Sequence, residues 1–280
     1  MTDDHSLCLP DQESPPPGVD TTVAHSPRIW NYWLGGKENY AVDRQVGDEF
    51  RTIFPDIVDV ARASRGFLIR SVQYLVGEAG TRQLLDIGTG LPTFDNTHQV
   101  AQRMAPKSRI VYVDNDPLVL AHARALLVST PEGTTNYIDA DMREPDKILQ
   151  AAARTLDFTQ PIALILSGIL GHITDDDEAY AIVHRLLDAL PSGSYLSLND
   201  GTNIICDEAF ERAMQLWNKA GSAKYCLRSP EQLARFFDGL ELVEPGLVSC
   251  PLWRPQLSSI GAHREVDAFG GLGRKPSLKG

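Results

Sequence analysis

From residue 82 onward, short apolar runs alternate with stretches whose apolar residues recur at helical spacing. The runs predict strands over Gln83–Ile87, Arg109–Val113, Thr135–Asp139, Ile162–Leu166 and Tyr195–Leu198. Helical periodicity fills the gaps, near residues 97–104, 117–128, 145–155 and 175–189. Strands alternating with helices at this spacing build βαβ units and a mostly parallel sheet. The runs are apolar nearly end to end, as strands covered on both faces are. Two further helical stretches follow, near 204–220 and 230–237, and Leu240–Val243 and Ser258–His263 supply two final strands. Ahead of the sheet, Val60, Ala63, Phe67, Leu68, Ser71, Val72 and Leu75 mark Ile57–Val76 as an amphipathic helix.

The first 24 residues break this pattern. Pro15, Pro16, Pro17 and Gly18 sit among acids, serines and threonines, a composition that buries no core. Order is expected from His25, where Pro27 to Phe54 is too rich in Trp, Tyr and Phe for a linker. The chain thus divides into a tail (1–24), an N-terminal helical cap or lid (25–80) and one α/β domain (81–280).

Composition narrows the function classes. With 26 basic against 37 acidic residues the formal net charge is −11, the wrong sign for a broad grip on nucleic acid. No apolar run approaches the ~18–20 residues of a membrane span, and the acidic, proline-rich start lacks a signal-peptide pattern. Cys8, Cys206, Cys226 and Cys250 are scattered, which suits a reduced cytoplasmic chain better than a disulfide framework or zinc site.

The segment Leu84-Leu85-Asp86-Ile87-Gly88-Thr89-Gly90-Leu91-Pro92 is an apolar strand ending in a tight glycine turn. Glycines there permit positive φ and let a ligand approach without meeting a Cβ. A G-x-G turn is common as plain structure, but acids follow it at the next strand ends. The second strand ends in Asp114, with Asn115 and Asp116 after it, where a carboxylate can hold nucleoside ribose hydroxyls. Asp116 also reads as the N-cap of a helix starting at Pro117. The third strand ends in Asp139-Ala140-Asp141-Met142-Arg143, where an acid can accept from an adenine amino group beside an apolar neighbour. A nicotinamide dinucleotide favours G-x-G-x-x-G; here Pro92 and Thr93 occupy the last two positions, which disfavours an oxidoreductase.

Residues 82–200 resemble the class I S-adenosylmethionine-dependent methyltransferases. The chain from residue 25 is similar, more narrowly, to a bacterial S-adenosyl methyltransferase family. That likeness rests on the run His25-Ser26-Pro27-Arg28-Ile29-Trp30-Asn31-Tyr32-Trp33-Leu34-Gly35-Gly36-Lys37-Glu38-Asn39-Tyr40, on Asp86 to Thr93, and on Val113-Asp114-Asn115-Asp116-Pro117. The resemblance implies a seven-stranded Rossmann-like sheet with S-adenosylmethionine at Asp86, Gly88, Gly90, Asp114, Asp141 and Met142. Thr89, Asn115 and Ser167 beside those strand ends, and Asn31 and Tyr32 from the N-terminal run, complete the expected cofactor set.

Methyl transfer needs alignment more than functional groups, so it leaves a weak signature. The acceptor belongs beyond the fourth strand, where the chain reads Ser167-Gly168-Ile169-Leu170-Gly171-His172-Ile173. The Asn/Asp-Pro-Pro-aromatic motif of amino-methylating families is absent there. His172 is the candidate base, or else a loop histidine bonded to backbone; Tyr40, in the lid, is the second candidate catalytic residue. Thr174 followed by Asp175, Asp176, Asp177 and Glu178 reads as an N-capped helix start rather than a metal site. Asp200, after the fifth strand, fits either a substrate role or an Asx turn. The reading is methyl transfer to a small-molecule acceptor, the alternative being a cofactor-binding protein that has lost turnover.

Overall fold

Every residue of β1 (Gln83–Ile87) is buried, and Leu84 and Leu85 enter different hydrophobic clusters on its two sides. That alternation puts β1 at the centre of a sheet covered on both faces. The computed structural model describes residues 19–93, 95–126, 129–219, 223–255 and 264–277. The remaining strands are β2 (Arg109–Asp114), β3 (Thr134–Asp139), β4 (Ala163–Ser167), β5 (Tyr195–Gly201), β6 (Glu241–Leu242), β7 (Val248–Ser249) and β8 (Ala268–Arg274). Their order is β3-β2-β1-β4-β5-β8-β6, with the two-residue β7 pairing beside β8. Strands β1 to β5 are parallel. β8 runs antiparallel to β5 from Tyr195↔Arg274 to Gly201↔Ala268.

The sheet divides the core. Leu84, Ile110, Ile165 and Tyr195 face α3 (Ile57–Gly77) and α4 (Thr97–Met104), packing with Phe67, Val72, Leu75, Val100 and Ala101. Leu85, Val111, Leu164 and Leu196 face the other side, with α6 (Pro145–Ala152) and α7 (Asp176–Asp188). α5 (Pro117–Leu126) follows β2, and α8 (Asp207–Lys219) and α9 (Pro230–Ala234) follow β5. The cap of α7 differs from expectation: Asp175, not Thr174, accepts the Glu178 amide at 2.8 Å.

Two parts of the chain depart from their sequence pattern. The segment Ser258–His263, expected as the last strand, lies outside the described residues; the strand that completes the sheet is the glycine-rich β8. Its glycines answer to close packing. A Cβ at Gly270 would sit 2.9 Å from the Phe67 ring, and one at Gly273 would sit 2.8 Å from Phe237. Glycine weakens a strand's sequence signal while allowing such contact.

The aromatic N-terminal stretch forms α1 (Ser26–Trp33) and α2 (Ala41–Ile53). Their Trp33, Phe50 and Phe54 pack against Phe210 and Trp217 of α8, with Phe54 stacked on Phe210 at 4.4 Å between centroids. Residues 1–18 of the expected tail lie outside the described residues, while 19–24 are held to the fold. Arg28, buried in α1, donates to the carbonyls of Asp20 and Val23 and pairs with buried Asp43 at 3.1 Å.

Strand order reverses between β1 and β4, so the segments leaving their carboxyl ends diverge. In an open parallel sheet that divergence makes a crevice. Helix α1 lies over it.

Candidate functional site

A cavity of about 720 Å³ fills this crevice, within the ~300–1,000 Å³ range of small-molecule sites. Its floor is the carboxyl ends of β1, β2, β3 and β4. Its roof is Val23 to Pro27 with Trp30, Asn31 and Leu34, and Ala61, Ser64, Arg65 and Leu68 of α3 form one wall.

The turn after β1 is built as its sequence suggests. Gly88 and Gly90 have φ of +75° and +63°, conformations that side chains other than glycine's rarely adopt. They have different neighbours. A Cβ on Gly88 would lie 2.5 Å from Ile169, whereas one on Gly90 would meet nothing within 4 Å. Gly88 therefore serves strand-to-loop packing, and Gly90 leaves open space in the cavity wall.

Asp114 holds this turn. One carboxylate oxygen accepts from the Gly90 amide at 2.9 Å; the other accepts from Asn115 and Asp116 amides at 2.9 and 3.1 Å. A carboxylate offers about four acceptor positions, so this geometry leaves one for a ligand hydroxyl rather than two. Burial raises its pKa against the lowering effect of the amide bonds.

Asp86 is more deeply committed. It accepts from Thr97 Oγ1 at 2.6 Å, and burial lifts its pKa to about 6 despite that bond and the charge of Arg65. Arg65 itself is largely buried, which lowers its pKa, and it donates to the Asp95 carbonyl at 2.9 Å. An acid and a guanidinium thus stand together in the wall beside the glycine turn. That pairing suits the ammonium and carboxylate of an amino-acid group.

The helix-cap reading of Asp116 holds. Its Oδ1 caps α5 by accepting from the Leu118 amide at 2.8 Å, and its Oδ2 meets His25 Nδ1 at 3.1 Å across the cavity roof. Burial pushes its pKa up, but the bonds from His25 and the helix amides outweigh this and leave it lowered. Asp141 accepts from Asn115 Nδ2 at 3.1 Å, and buried Met142 follows, giving a polar edge beside an apolar surface. Ser167 donates to Asn199 at 2.7 Å and keeps its own lone pairs at the cavity wall.

The loop after β4 brings His172 to the far end. Its Nδ1 is 3.0 Å from the Lys224 carbonyl, which can only accept, so the proton sits on Nδ1 and Nε2 is the lone-pair nitrogen. That Nε2 lies 3.4 Å from Ser26 Oγ of the roof. Burial lowers the imidazole pKa, keeping the ring neutral near pH 7. Behind it, the Tyr225 ring meets the imidazole edge-on at 5.0 Å, and its hydroxyl donates to Asp200. Asp200 also accepts from the Gly171 and Gly201 amides, both at 2.9 Å. This buried acid organises the loop and is absent from the main cavity wall.

Asp86, Gly88, Thr89, Gly90, Asp114, Asn115, Asp141, Met142, Ser167, Asn31 and His172 therefore meet in one cavity. Tyr32 and Tyr40 do not. The Tyr32 hydroxyl donates to Asp48 on α2 at 2.8 Å, and the Tyr40 ring lies under the Arg28 guanidinium and packs toward Leu91 and Leu118. Both tyrosines tie α1 and α2 together, since an aromatic ring beside a helix start fills packing space as readily as a site. His25, Ser26 and Arg65 line the cavity without having been singled out individually as site residues. Nothing in their spacing marks them; only the folding of α1 and α3 over the sheet brings them in. Among the described residues no group of three or more His, Cys, Asp or Glu could hold a metal ion, and no helix is long and apolar enough to cross a membrane.

Comparison with known proteins accords with this geometry. Among solved structures the chain is similar to a DUF574 family protein from Streptomyces avermitilis MA-4680, at 44% identity and a TM-score of 0.88, covering 92% of this chain and 99% of that one. It is also similar to a candidate methyltransferase from Thermobifida fusca YX, at 37% identity and a TM-score of 0.86, over 94% and 99% of the two chains. An O-methyltransferase family protein from Burkholderia thailandensis, 16% identical with a TM-score of 0.50 over 75% of this chain and 56% of that one, shares the fold alone. No curated protein matches the chain. The family model described as S-adenosyl methyltransferase matches residues 12–276, which takes in the cavity's floor, wall and roof together. The chain belongs to the S-adenosyl methyltransferase family, with the Rossmann-like fold of class I methyltransferases and S-adenosylmethionine as its cofactor.

Proposed function

We propose that this chain transfers a methyl group from S-adenosylmethionine to a small-molecule acceptor, and that His172 receives the acceptor's proton. The observation that carries the reading is one continuous cavity joining the acid-tipped ends of β1 to β3 with a neutral, proton-accepting His172 Nε2.

The residues present fit the cofactor. Gly90 leaves room where a side chain would intrude, and Asp114 retains one acceptor position for a ribose hydroxyl. Asp86 and Arg65 suit the amino-acid end, and Asp141 with Met142 suits the adenine end. When bound, S-adenosylmethionine supplies an electrophilic methyl group whose C–S bond breaks with the electron pair remaining on sulfur.

The chain's own residues do the rest. The roof formed by His25, Ser26 and Trp30 covers the cavity, and the His25–Asp116 contact ties that roof to the tip of β2. His172 holds its lone pair toward the cavity because its other nitrogen is engaged by the Lys224 carbonyl. A positioned base contributes roughly 10²–10⁴-fold to a step that releases a proton. The net charge of −11 supports a small-molecule acceptor over nucleic acid.

The test is formation of S-adenosylhomocysteine when the purified chain meets a panel of hydroxyl, amine and carbon-acid acceptors. Turnover that falls ~10²-fold or more in His172→Gln, at unchanged cofactor affinity, supports the reading. Tight cofactor binding with no turnover on any acceptor favours a binding protein without catalysis.

A further inference from the structure

The charges around the cavity are sorted by position. Its carboxylates, Asp86, Asp114, Asp116 and Asp141, all stand at the tips of β1, β2 and β3. From residue 167 onward the lining contains no carboxylate, although the whole chain carries 37 acids against 26 bases. That end of the cavity instead holds His172 and two cations, Arg143 and Lys224.

The two cations differ. Arg143 is engaged, 3.5 Å from Asp141, 3.4 Å from Glu178 and bonded at 2.8 Å to the His172 carbonyl. The Lys224 ammonium has no ion pair or hydrogen bond among the described residues; only its backbone carbonyl is used, by His172. An isolated surface lysine is ordinarily just solvated. This one lines the cavity, and its own backbone is the hydrogen-bond partner that orients the imidazole. The fold thus joins the residue that carries an exposed cation to the imidazole through a backbone hydrogen bond to Nδ1, at the end of the cavity lined by Trp30 and Ile169.

We infer that the methyl acceptor is a small hydroxy acid, its carboxylate received by Lys224 and its hydroxyl facing His172. This rests on the methyl-transfer reading above and names the substrate class of that site. In the reaction the hydroxyl proton passes to His172 Nε2, and the oxygen forms the bond to the methyl carbon. The C–S electron pair stays on sulfur, and the imidazolium returns its proton to solvent. The products are the O-methyl acid and S-adenosylhomocysteine, and no further reactant is required. The apolar walls complement the hydrocarbon body of such an acid, while a neutral or cationic acceptor gains nothing from Lys224.

The experiment is titration of the full chain, saturated with S-adenosylhomocysteine, with paired probes. 4-Hydroxybenzoate and salicylate are compared with their carboxamides in wild type, Lys224→Met and Lys224→Arg, with binding followed by calorimetry. The expected result is a preference for at least one carboxylate over its amide of about tenfold or more in wild type. The preference persists in Lys224→Arg and is lost in Lys224→Met, while S-adenosylhomocysteine affinity stays within about twofold in all three. Equal affinity for acid and amide, a preference that survives Lys224→Met, or binding of no probe overturns the inference. A carboxylate preference that depends on Lys224, with no methylated product once S-adenosylmethionine replaces S-adenosylhomocysteine, would leave the anion site standing and refute the transfer reading instead.

Discussion

Replacing Asp86 with asparagine nearly preserves the side chain's shape and an acceptor for Thr97, while removing a charge that the fold buries. Burial raises this carboxyl from its ordinary 3.8 to about 6 in the folded chain. A difference of about two pKa units corresponds to about 3 kcal/mol at most. Because the folded-state pKa is the higher one, the wild type gains stability as pH falls through about 6 and holds the full gain only below 3.8. At pH 8 the carboxylate is charged in both states, and the folded state carries the whole burial penalty. Asp86→Asn is therefore expected to raise the stability of the ligand-free chain at pH 8 by up to about 3 kcal/mol. The advantage shrinks toward parity near pH 4. Urea unfolding at pH 8, 6 and 4 measures it. The same variant should lose the ammonium partner of the cofactor, a charge-assisted bond worth about 1.5–3 kcal/mol, or roughly 10- to 150-fold in S-adenosylhomocysteine affinity. In wild type that affinity should fall as pH drops below about 6, where the carboxyl takes up its proton. A variant less stable than wild type at pH 8, or one that binds S-adenosylhomocysteine normally, would refute the reasoning and make Asp86 a structural residue.

Further outcomes follow from the same contacts. Asp114→Asn keeps an acceptor oxygen but loses the charge beside Gly90; calorimetry should show S-adenosylhomocysteine binding weakened by about 1–3 kcal/mol. Arg28→Met leaves Asp43 buried without its cation, which costs about 3–5 kcal/mol in chemical denaturation; a loss below about 1 kcal/mol would mean the pair contributes little to the fold. The acidic limb of a pH–rate profile should fall below the ordinary histidine value, because burial lowers the His172 pKa and the ring acts when neutral. His172→Gln should abolish that limb along with most turnover, and a limb unchanged in the variant assigns the titration elsewhere.

Much of the fold was legible because its central parallel strands are apolar on both faces, while β3 at the sheet edge is largely exposed. Gln83–Ile87, Arg109–Val113 and Tyr195–Leu198 announce themselves as apolar runs, and the structure extends the last two to Asp114 and Gly201. β8 was illegible for a physical reason: Gly270 and Gly273 are there to admit Phe67 and Phe237, and glycine carries no β signal. The cavity floor was legible because strand-end acids and a glycine turn occupy fixed places in a parallel sheet. Its roof was not. Tyr32 and Tyr40 carry the polar tips expected of site residues, yet helix packing turns them toward Asp48 and Arg28. Arg65 carries no site signal of its own in the sequence; α3 brings it to the cavity wall beside the tip of β1.

The proposed methyl transfer requires the cofactor to occupy the space left open by Gly90. Calorimetric titration of the full chain with S-adenosylhomocysteine, beside Gly90→Val, tests it most directly. A Cβ at Gly90 meets no protein atom within 4 Å, so the branched side chain projects into the cavity, and its cost to the fold is the strain of φ +63°. That strain is about 1–2 kcal/mol. Wild type is expected to bind in the micromolar range, and a Gly90→Val chain that still unfolds cooperatively is expected to show no detectable binding. Equal affinity in the two folded proteins, or no binding by folded wild type, would contradict that placement of the cofactor.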